Sequence, residues 1–288
     1  MRKVETYFVP KNFGKKVRLS DLEPGIFSTI QSRKGVKKAI DKGLVTVNGN
    51  TGHTADYITG GEVIELHVAD RSTANPNIDL KIEVVFEDDY LAIISKPAGI
   101  VVSGNQKWTL KNALSSNLKK SLQADALISP EPIHRLDYPT SGCLLVGKTA
   151  QAVVALNSLF ANREVKKQYT AVSIGKMPAD GTVTSPVDDK PANTLFNTIE
   201  SIESVRFGFL NLVNLQPLTG RKHQLRKHLS EIGNPILGDR DYAQKGLLLS
   251  GKGLYLHASA LGFKHPFTLE QIAVSIPLPK KFRKLFPV

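Results

Sequence analysis

Strand-like runs outnumber helical ones in this chain and do not alternate with them, which rules out most helix-layered folds. Past residue 80 six apolar or alternating runs stand out, at 82–86, 91–95, 143–146, 168–174, 209–215 and 271–276. Only two stretches carry helical spacing. One is 150–163, with Val153, Leu156 and Phe160 on one face; the other is 221–232, with Leu225, Leu229 and Ile232. A doubly wound fold needs a helix between most successive strands. This order predicts an α+β class instead, a mixed and largely antiparallel sheet over about residues 80–288.

Ahead of that sheet lies a smaller unit. Residues 69–79 (ADRSTANPNID) are polar, hold Pro76 and lack periodicity, so they read as a linker. Residues 1–15 carry no clear period and read as an N-terminal arm, without the apolar stretch of a secretory signal. Between them, 16–68 predicts a small α/β-hairpin domain. Ser32 suits the N-cap of a helix through RKGVKKAIDK that Gly43 ends. Val36 and Ile40 form its narrow apolar face, while Arg33, Lys34, Lys37, Lys38 and Lys42 crowd the rest. A strand at 44–47, the turn pair Asn48-Gly49 and a strand at 62–68 complete the unit.

Charge and cysteine content narrow the function classes. Among 288 residues the formal net charge is +12, which favours a polyanionic partner. No run of about 18 apolar residues suggests a membrane helix. The single cysteine, Cys143, excludes an internal disulfide and argues against a cysteine-based zinc site. A reducing, cytoplasmic setting follows as the simple expectation.

The densest polar cluster is His134-Arg135-Leu136-Asp137-Tyr138-Pro139-Thr140-Ser141-Gly142, just before an apolar strand. By itself Asp137 could be a turn residue, because Asp accepts from backbone N–H groups two residues on and proline presets a turn. Gly142 to Thr149 (GCLLVGKT) meets the P-loop pattern letter for letter. The physics opposes that reading. The four variable positions are themselves strand-like, so their N–H groups would be used in a sheet. His223 and His228 are five apart and lack metalloprotease spacing, and no metal is expected.

The motif HRLDYPTSG resembles the HRLDxxTSG signature of RluA-type pseudouridine synthases. Lys96-Pro97-Ala98-Gly99, Lys167-Gln168-Tyr169, Thr219-Gly220-Arg221-Lys222-His223-Gln224-Leu225-Arg226, Gly238-Asp239 and Leu256-His257-Ala258 resemble the family's other motifs, in the family's order. Tyr138-Pro139 departs from the commoner basic-acidic pair at the free positions, which bears on substrate and not on reaction. The small domain is similar to the alpha-L RNA-binding module typified by a ribosomal small-subunit protein. Arg18-Leu19, Ser32-Arg33, Ile40, Gly43-Leu44-Val45, Val47-Asn48-Gly49 and Gly61-Glu62 carry that likeness. It departs at Glu23-Pro24-Gly25, where such modules continue a first helix.

The resemblance implies a pseudouridine synthase fold and isomerisation of uridines in structured RNA, with Asp137 as the catalytic carboxylate. Breaking N1–C1′, turning the base and rejoining it through C5 involves no redox change, so neither metal nor organic cofactor is expected. Tyr169 is expected as the platform for the extruded base. Arg221 is expected to pair with Asp137, the plainer alternative being an RNA phosphate or a structural acid such as Asp239. Arg221 stands four residues before Leu225, which would put it on the buried face of the second helix, where an arginine needs a partner. Expected RNA contacts are the five cations of the first helix together with His134, Arg135, Lys167, Lys222, His223, Gln224 and Arg226. Ribosomal RNA is preferred over transfer RNA because of the N-terminal module, and a monomer is the family default. The competing class is an RNA-binding protein without catalytic activity.

Overall fold

In the computed structural model, which describes residues 2–30, 32–68, 78–243 and 246–287, the chain divides into two compact units, 1–75 and 76–288. The first begins with a strand, β1 (Arg2–Phe8), where an arm was expected. β1 pairs antiparallel with a later strand, from Arg2↔Val68 to Phe8↔Val63. Its mixed polar text hides it, because pairing and not apolar periodicity holds it. Glu5 adds a tie by accepting the N–H groups of Ser28 at 2.6 Å and Thr29 at 2.9 Å.

After β2 (Val17–Arg18), Leu19–Asp21 form one 3₁₀ turn and no first α-helix follows. Pro24 cannot donate and Gly25 has φ 97°, so the chain turns there. Helix α1 (Arg33–Asp41) starts where Ser32 accepts from the Gly35 N–H and stops at Gly43, φ 67°. Val36, Ala39 and Ile40 are buried with Leu19, Phe27 and Ile64, leaving the five cations of 33–42 exposed. β3 (Val45–Val47) and β4 (Asn50–Thr51) flank Asn48-Gly49, both at positive φ as a tight hairpin turn requires. β5 (Tyr57–Ile58) pairs with β2, and β6 (Val63–Val68) completes a sheet ordered β1-β6-β3-β4.

Of the expected linker, 69–77 lie outside the described residues. Ile78 is already buried in the second unit and donates its N–H to Asn112 O at 3.3 Å. That unit runs β7 (Glu83–Glu87), β8 (Leu91–Lys96), α2 (Leu110–Asn117), β9 (Ala126–Pro132), β10 (Ser141–Thr149), α3 (Ala150–Ala161) and β11 (Lys166–Ile174). It continues through β12 (Asp180–Val183), β13 (Thr194–Ser204), β14 (Gly208–Pro217), α4 (Gln224–Glu231), β15 (Leu256–Lys264), β16 (Gln271–Ser275) and α5 (Lys280–Arg283). One ten-stranded sheet has the order β12-β13-β14-β11-β15-β10-β8-β7, with β16 on β15 and β9 on β10. Within it the β10–β15 pairing is parallel and the other pairings are antiparallel. The mixed, largely antiparallel α+β architecture is therefore the one expected.

Strand β10 explains its apolar run. Leu144 and Val146 face a core with Leu110 and Leu114 of α2, while Cys143 and Leu145 face one with Ala152 and Leu156 of α3. A strand covered on both faces reads as continuous hydrophobics. Its P-loop likeness is accidental, since Lys148 is buried against Glu87 Oε1 at 2.7 Å and the backbone belongs to the sheet.

The β10–β15 seam holds only two pairs, Ser141↔His257 and Gly142↔Ala258. Gly142 is required there. Its φ is 124°, and a Cβ would stand 2.3 Å from Ala258 O. A side chain at Gly142 would push the two halves of the sheet apart, directly beside the loop that carries Asp137.

Candidate active site

Three elements converge at this seam. The 133–140 loop enters β10, Tyr169 lies on β11, and the turn after β14 leads into α4. Between them is a hollow of about 520 Å³, lined among others by Asp137, Tyr169, His223 and Arg226.

The Asp137 loop is tied from below. Lys96, buried at the end of β8, directs its ammonium to Thr140 O at 2.8 Å, Pro97 O at 3.0 Å, Asp137 O at 3.3 Å and Tyr138 O at 3.4 Å. Burial pushes Lys96 down to about 8, against the pull of Asp137. The Thr140 N–H closes the turn onto Asp137 O at 3.0 Å. The turn that Asp137 and Pro139 suggested thus exists, and it serves to present the carboxylate.

The cation facing Asp137 is Arg226, not Arg221. Arg226 Nη1 stands 3.5 Å from Asp137 Oδ2. The rest of that guanidinium grips Asp239 at two points, Nε–Oδ2 2.7 Å and Nη2–Oδ1 2.6 Å, and Asp241 Oδ2 at 2.6 Å. Burial alone would weaken the guanidinium's hold on its proton, and the carboxylates of Asp239 and Asp241 more than reverse that. Arg226 is 3% exposed, so its expected role as an RNA contact gives way to that of a buried anchor.

Arg221 departs from expectation because α4 starts at Gln224, later than the spacing suggests. His223, at φ 56°, is the N-cap, and Arg221 lies in the turn before it. The Arg221 Nε donates to Pro191 O at 3.1 Å. Gln224, also expected at RNA, is wholly engaged inside. Its Oε1 accepts from Thr219 Oγ1 and the Arg221 N–H, and its Nε2 donates to Asn193 O and Thr194 Oγ1. His134 is likewise internal. Its Nε2 accepts the Leu145 N–H at 3.1 Å, its ring stacks on Phe160 at 4.8 Å, and burial, then Lys167, pushes it down to about 4.

The other expected residues do meet at the hollow. Tyr169 lines its wall, and burial, with Asp137 and Cys143 adding to it, drives the phenol upward so that it stays protonated. His223 Nε2 lies 3.7 Å from Asp137 Oδ1. Arg135 and Lys222 are exposed on the rim. Lys167 extends from the wall toward a second hollow of about 520 Å³, which adds Arg163 and Lys166 and shares Arg221. Among the described residues Arg163, Lys166, Lys167 and Arg221 form no ion pair. Burial weakens the hold of the Lys167 amine on its proton. Cys143 is buried and its thiol is pushed up to about 11, as suits a structural thiol.

Asp241 and Tyr242 had no expected place in the site, and Asp239 entered only through its motif and as an alternative partner of Arg221. The available signal was Gly238-Asp239 itself, an acid following the apolar Ile236-Leu237, where a buried carboxylate demands a cation.

Residues 90–231 match the family model described as RNA pseudouridylate synthase. A ribosomal large subunit pseudouridine synthase D of Xanthomonas campestris is 32% identical over 279 residues, 88% of this chain and 83% of the relative. An uncharacterized RNA pseudouridine synthase of Bacillus subtilis is 31% identical over 273 residues, 88% of each chain. Among solved structures, human RNA pseudouridylate synthase domain containing 4 superposes with a TM-score of 0.57 at 26% identity, over 69% of this chain and 90% of that one. With Asp137, Tyr169 and Arg226 gathered at one seam, and with relatives of this identity spanning most of its length, the chain belongs to the RNA pseudouridylate synthase family, isomerases that turn uridine in RNA into pseudouridine.

Proposed function

We propose that this enzyme acts on ribosomal RNA, with Asp137 as the catalytic carboxylate. The observation that carries the assignment is the placement of Asp137, with its oxygens 3.5 Å from a buried guanidinium and 3.7 Å from an imidazole, in a hollow walled by Tyr169. The Arg226 guanidinium sets a positive charge 3.5 Å from the carboxylate oxygen that would act at C1′. Because Arg226 is itself clamped by Asp239, it holds Asp137 without collapsing onto it. Tyr169 offers a flat face for a uracil drawn out of its stack, and its protonated hydroxyl can donate but not accept the reaction's proton.

RNA reaches the hollow over a cationic rim. Arg135 and Lys222 flank the mouth, and the second hollow, with Arg163, Lys166, Lys167 and Arg221, offers its cations to backbone phosphates. In this reading Arg221 is a phosphate ligand. The N-terminal unit presents Arg33, Lys34, Lys37, Lys38 and Lys42 on one helix, a second phosphate-binding face. Ribosomal RNA is favoured over transfer RNA by that module and by relatives named for the large ribosomal subunit. The reading includes a monomer working in the cytoplasm without a cofactor.

The test is pseudouridine mapping by reverse-transcription stops after carbodiimide treatment, on RNA from a strain lacking the gene. Stops that vanish from ribosomal RNA should return with the wild-type chain and not with Asp137→Asn. Restoration by Asp137→Asn would sink the catalytic assignment, and stops that vanish only from transfer RNA would sink the substrate.

A further inference from the structure

His223 holds a backbone conformation uncommon outside glycine. Its φ of 56° lies in the left-handed region, which histidine enters more readily than most side chains but still rarely. Residues so held cluster at sites where their direction matters. Here the conformation ends the turn after β14 and aims the imidazole into the hollow. Two neighbours then fix the ring. Nδ1 is 3.0 Å from Tyr242 Oη, with the rings edge to face at 83°, and Nε2 is 3.7 Å from Asp137 Oδ1.

Whatever the route of N1–C1′ cleavage, making pseudouridine requires a proton to leave C5 and one to arrive at N1. The hollow offers few bases for that step. Asp137 is engaged at C1′ until C5 joins it, and a carboxylate is in general a weaker base than an imidazole. The Tyr169 phenol is held protonated, the Arg226 guanidinium likewise, and the His134 acceptor is occupied by the Leu145 N–H. Lys167 faces Phe160 across the hollow, its ammonium 6.0 Å from that ring. That leaves His223. A C1′ under attack stands about 3–3.5 Å from the carboxylate, and C5 is one bond from C1′ once joined. A C5 joined to C1′ beside Asp137 is therefore also close to the His223 ring, whose Nε2 is 3.7 Å from Asp137 Oδ1.

We propose that His223 is the general base that removes the C5 proton, its Nε2 accepting that proton after C5 has bonded to C1′. The inference rests on the reading of Asp137 as the catalytic carboxylate. At this stage C5 is tetrahedral, bearing both C1′ and hydrogen, and the ring carries an N1=C6 double bond. The C5–H electron pair becomes C5=C6, the N1=C6 pair moves to N1, and the proton passes to Nε2. N1 takes up a proton from His223 or from water, so protons balance and no co-reactant is consumed. For Nε2 to accept, Nδ1 carries the hydrogen and donates to Tyr242 Oη, which gives Tyr242 a positioning role. Joining C5 to C1′ also frees the Asp137 carboxylate, so a full negative charge stands beside the imidazolium as it forms.

The electrostatics agree with a base that is neutral before the reaction. Burial lowers the His223 ring below its ordinary value of 6.5; Asp137 opposes this, Arg226 and Lys222 add to it, and Asp241 opposes it. Protonation before the reaction would block the step, so activity should fall on the acid side as the ring titrates, and only below the ordinary imidazole range.

The test uses the full chain and transcripts of large-subunit ribosomal RNA and transfer RNA made with either [5-³H]uridine or 5-fluorouridine. Release of tritium reports loss of the C5 hydrogen. 5-Fluorouridine has no such hydrogen, so its reaction ends at the C5–C1′ stage and reports everything before it. His223→Asn tolerates positive φ and should slow single-turnover tritium release by about 100-fold while converting the fluorinated transcript at near the wild-type rate. His223→Gly, for which φ 56° carries no strain, should lose tritium release equally and regain part of it with added imidazole. Tritium release by His223→Asn within a few-fold of wild type would overturn the proposal. So would an equal loss on both transcripts without imidazole rescue, which would make His223 a positioning residue. If Asp137→Asn releases tritium as the wild-type chain does, the reading of Asp137 fails first and this proposal with it.

Discussion

Replacing Arg226 separates the two cations that the motif Gly-Arg-x-His-Gln-x-Arg supplies. The Arg226 guanidinium meets three carboxylates, and that of Asp239 is fully enclosed. Arg226→Met removes the charge and leaves Asp239 buried and unpaired, a loss of about 3–5 kcal/mol. For a unit of roughly 200 residues each kcal/mol lowers Tm by about 2–4 °C, so the melting point should drop by roughly 6–20 °C. Arg226→Lys keeps the charge but loses the planar fork, and one ammonium cannot span both oxygens of Asp239 and still reach Asp137. Its single-turnover rate should fall at least tenfold, since a shift of about 1 Å in a reacting group can cost on the order of 100-fold. Arg221→Lys should keep the rate and weaken RNA affinity. Calorimetry and single-turnover kinetics at saturating enzyme read both quantities. A double variant, Arg226→Met with Asp239→Leu, should recover much of the stability and none of the activity, because it removes the buried charge together with its partner. A normal rate in Arg226→Lys, or a larger rate loss in Arg221→Lys, would refute the pairing derived from the geometry.

Asp137→Asn should abolish isomerisation and leave RNA affinity within a few-fold by filter binding; measurable turnover would contradict its role. Tyr169→Phe should keep substrate affinity, since the stacking face remains, whereas Tyr169→Ala should lose about 1–3 kcal/mol of binding; equal effects would deny a stacking platform. Changing Lys34, Lys37 and Lys38 together to Ala should flatten the slope of log affinity against log salt by up to about 0.9 for each phosphate no longer neutralised, and an unchanged slope would remove α1 from the RNA interface. Lys96 has its folded-state value depressed from 10.5 to about 8, so the unfolded chain binds more protons between those values. The stability cost of burying its charge is therefore present below about pH 8 and is relieved as pH rises toward 10.5. Lys96→Met should remove that alkaline gain from the pH dependence of denaturant midpoints.

Much of this enzyme is legible in its sequence, because the relevant forces act over a few residues. Ser32, Gly43 and Asn48-Gly49 place the helix and the hairpin of the first unit through local capping and turn chemistry. The apolar run of β10 announces a strand covered on both faces, and the same run disqualifies the P-loop likeness of GCLLVGKT. What local text could not reveal is held by distant partners. β1 exists through pairing with β6. β13, whose text TLFNTIESIES is mostly polar, and β15, interrupted by Ala and Gly, lack strong strand propensity and depend on their neighbours in the sheet.

The site divides the same way. Asp137, Tyr169 and the Gly-Arg-x-His-Gln-x-Arg segment identify themselves by residue type and order, and with them the reaction. Which arginine meets Asp137 was decided only in three dimensions. Helical spacing counted back from Leu225 puts Arg221 inward, but the left-handed turn at His223 starts α4 later and sends Arg221 to Pro191 O. Arg226 then takes the inward place because Asp239, further along the chain, is buried opposite it and must be neutralised. Periodicity describes a helix once it has begun. Where it begins, and which charge it buries, depend on a turn and a partner that only the closed sheet brings together.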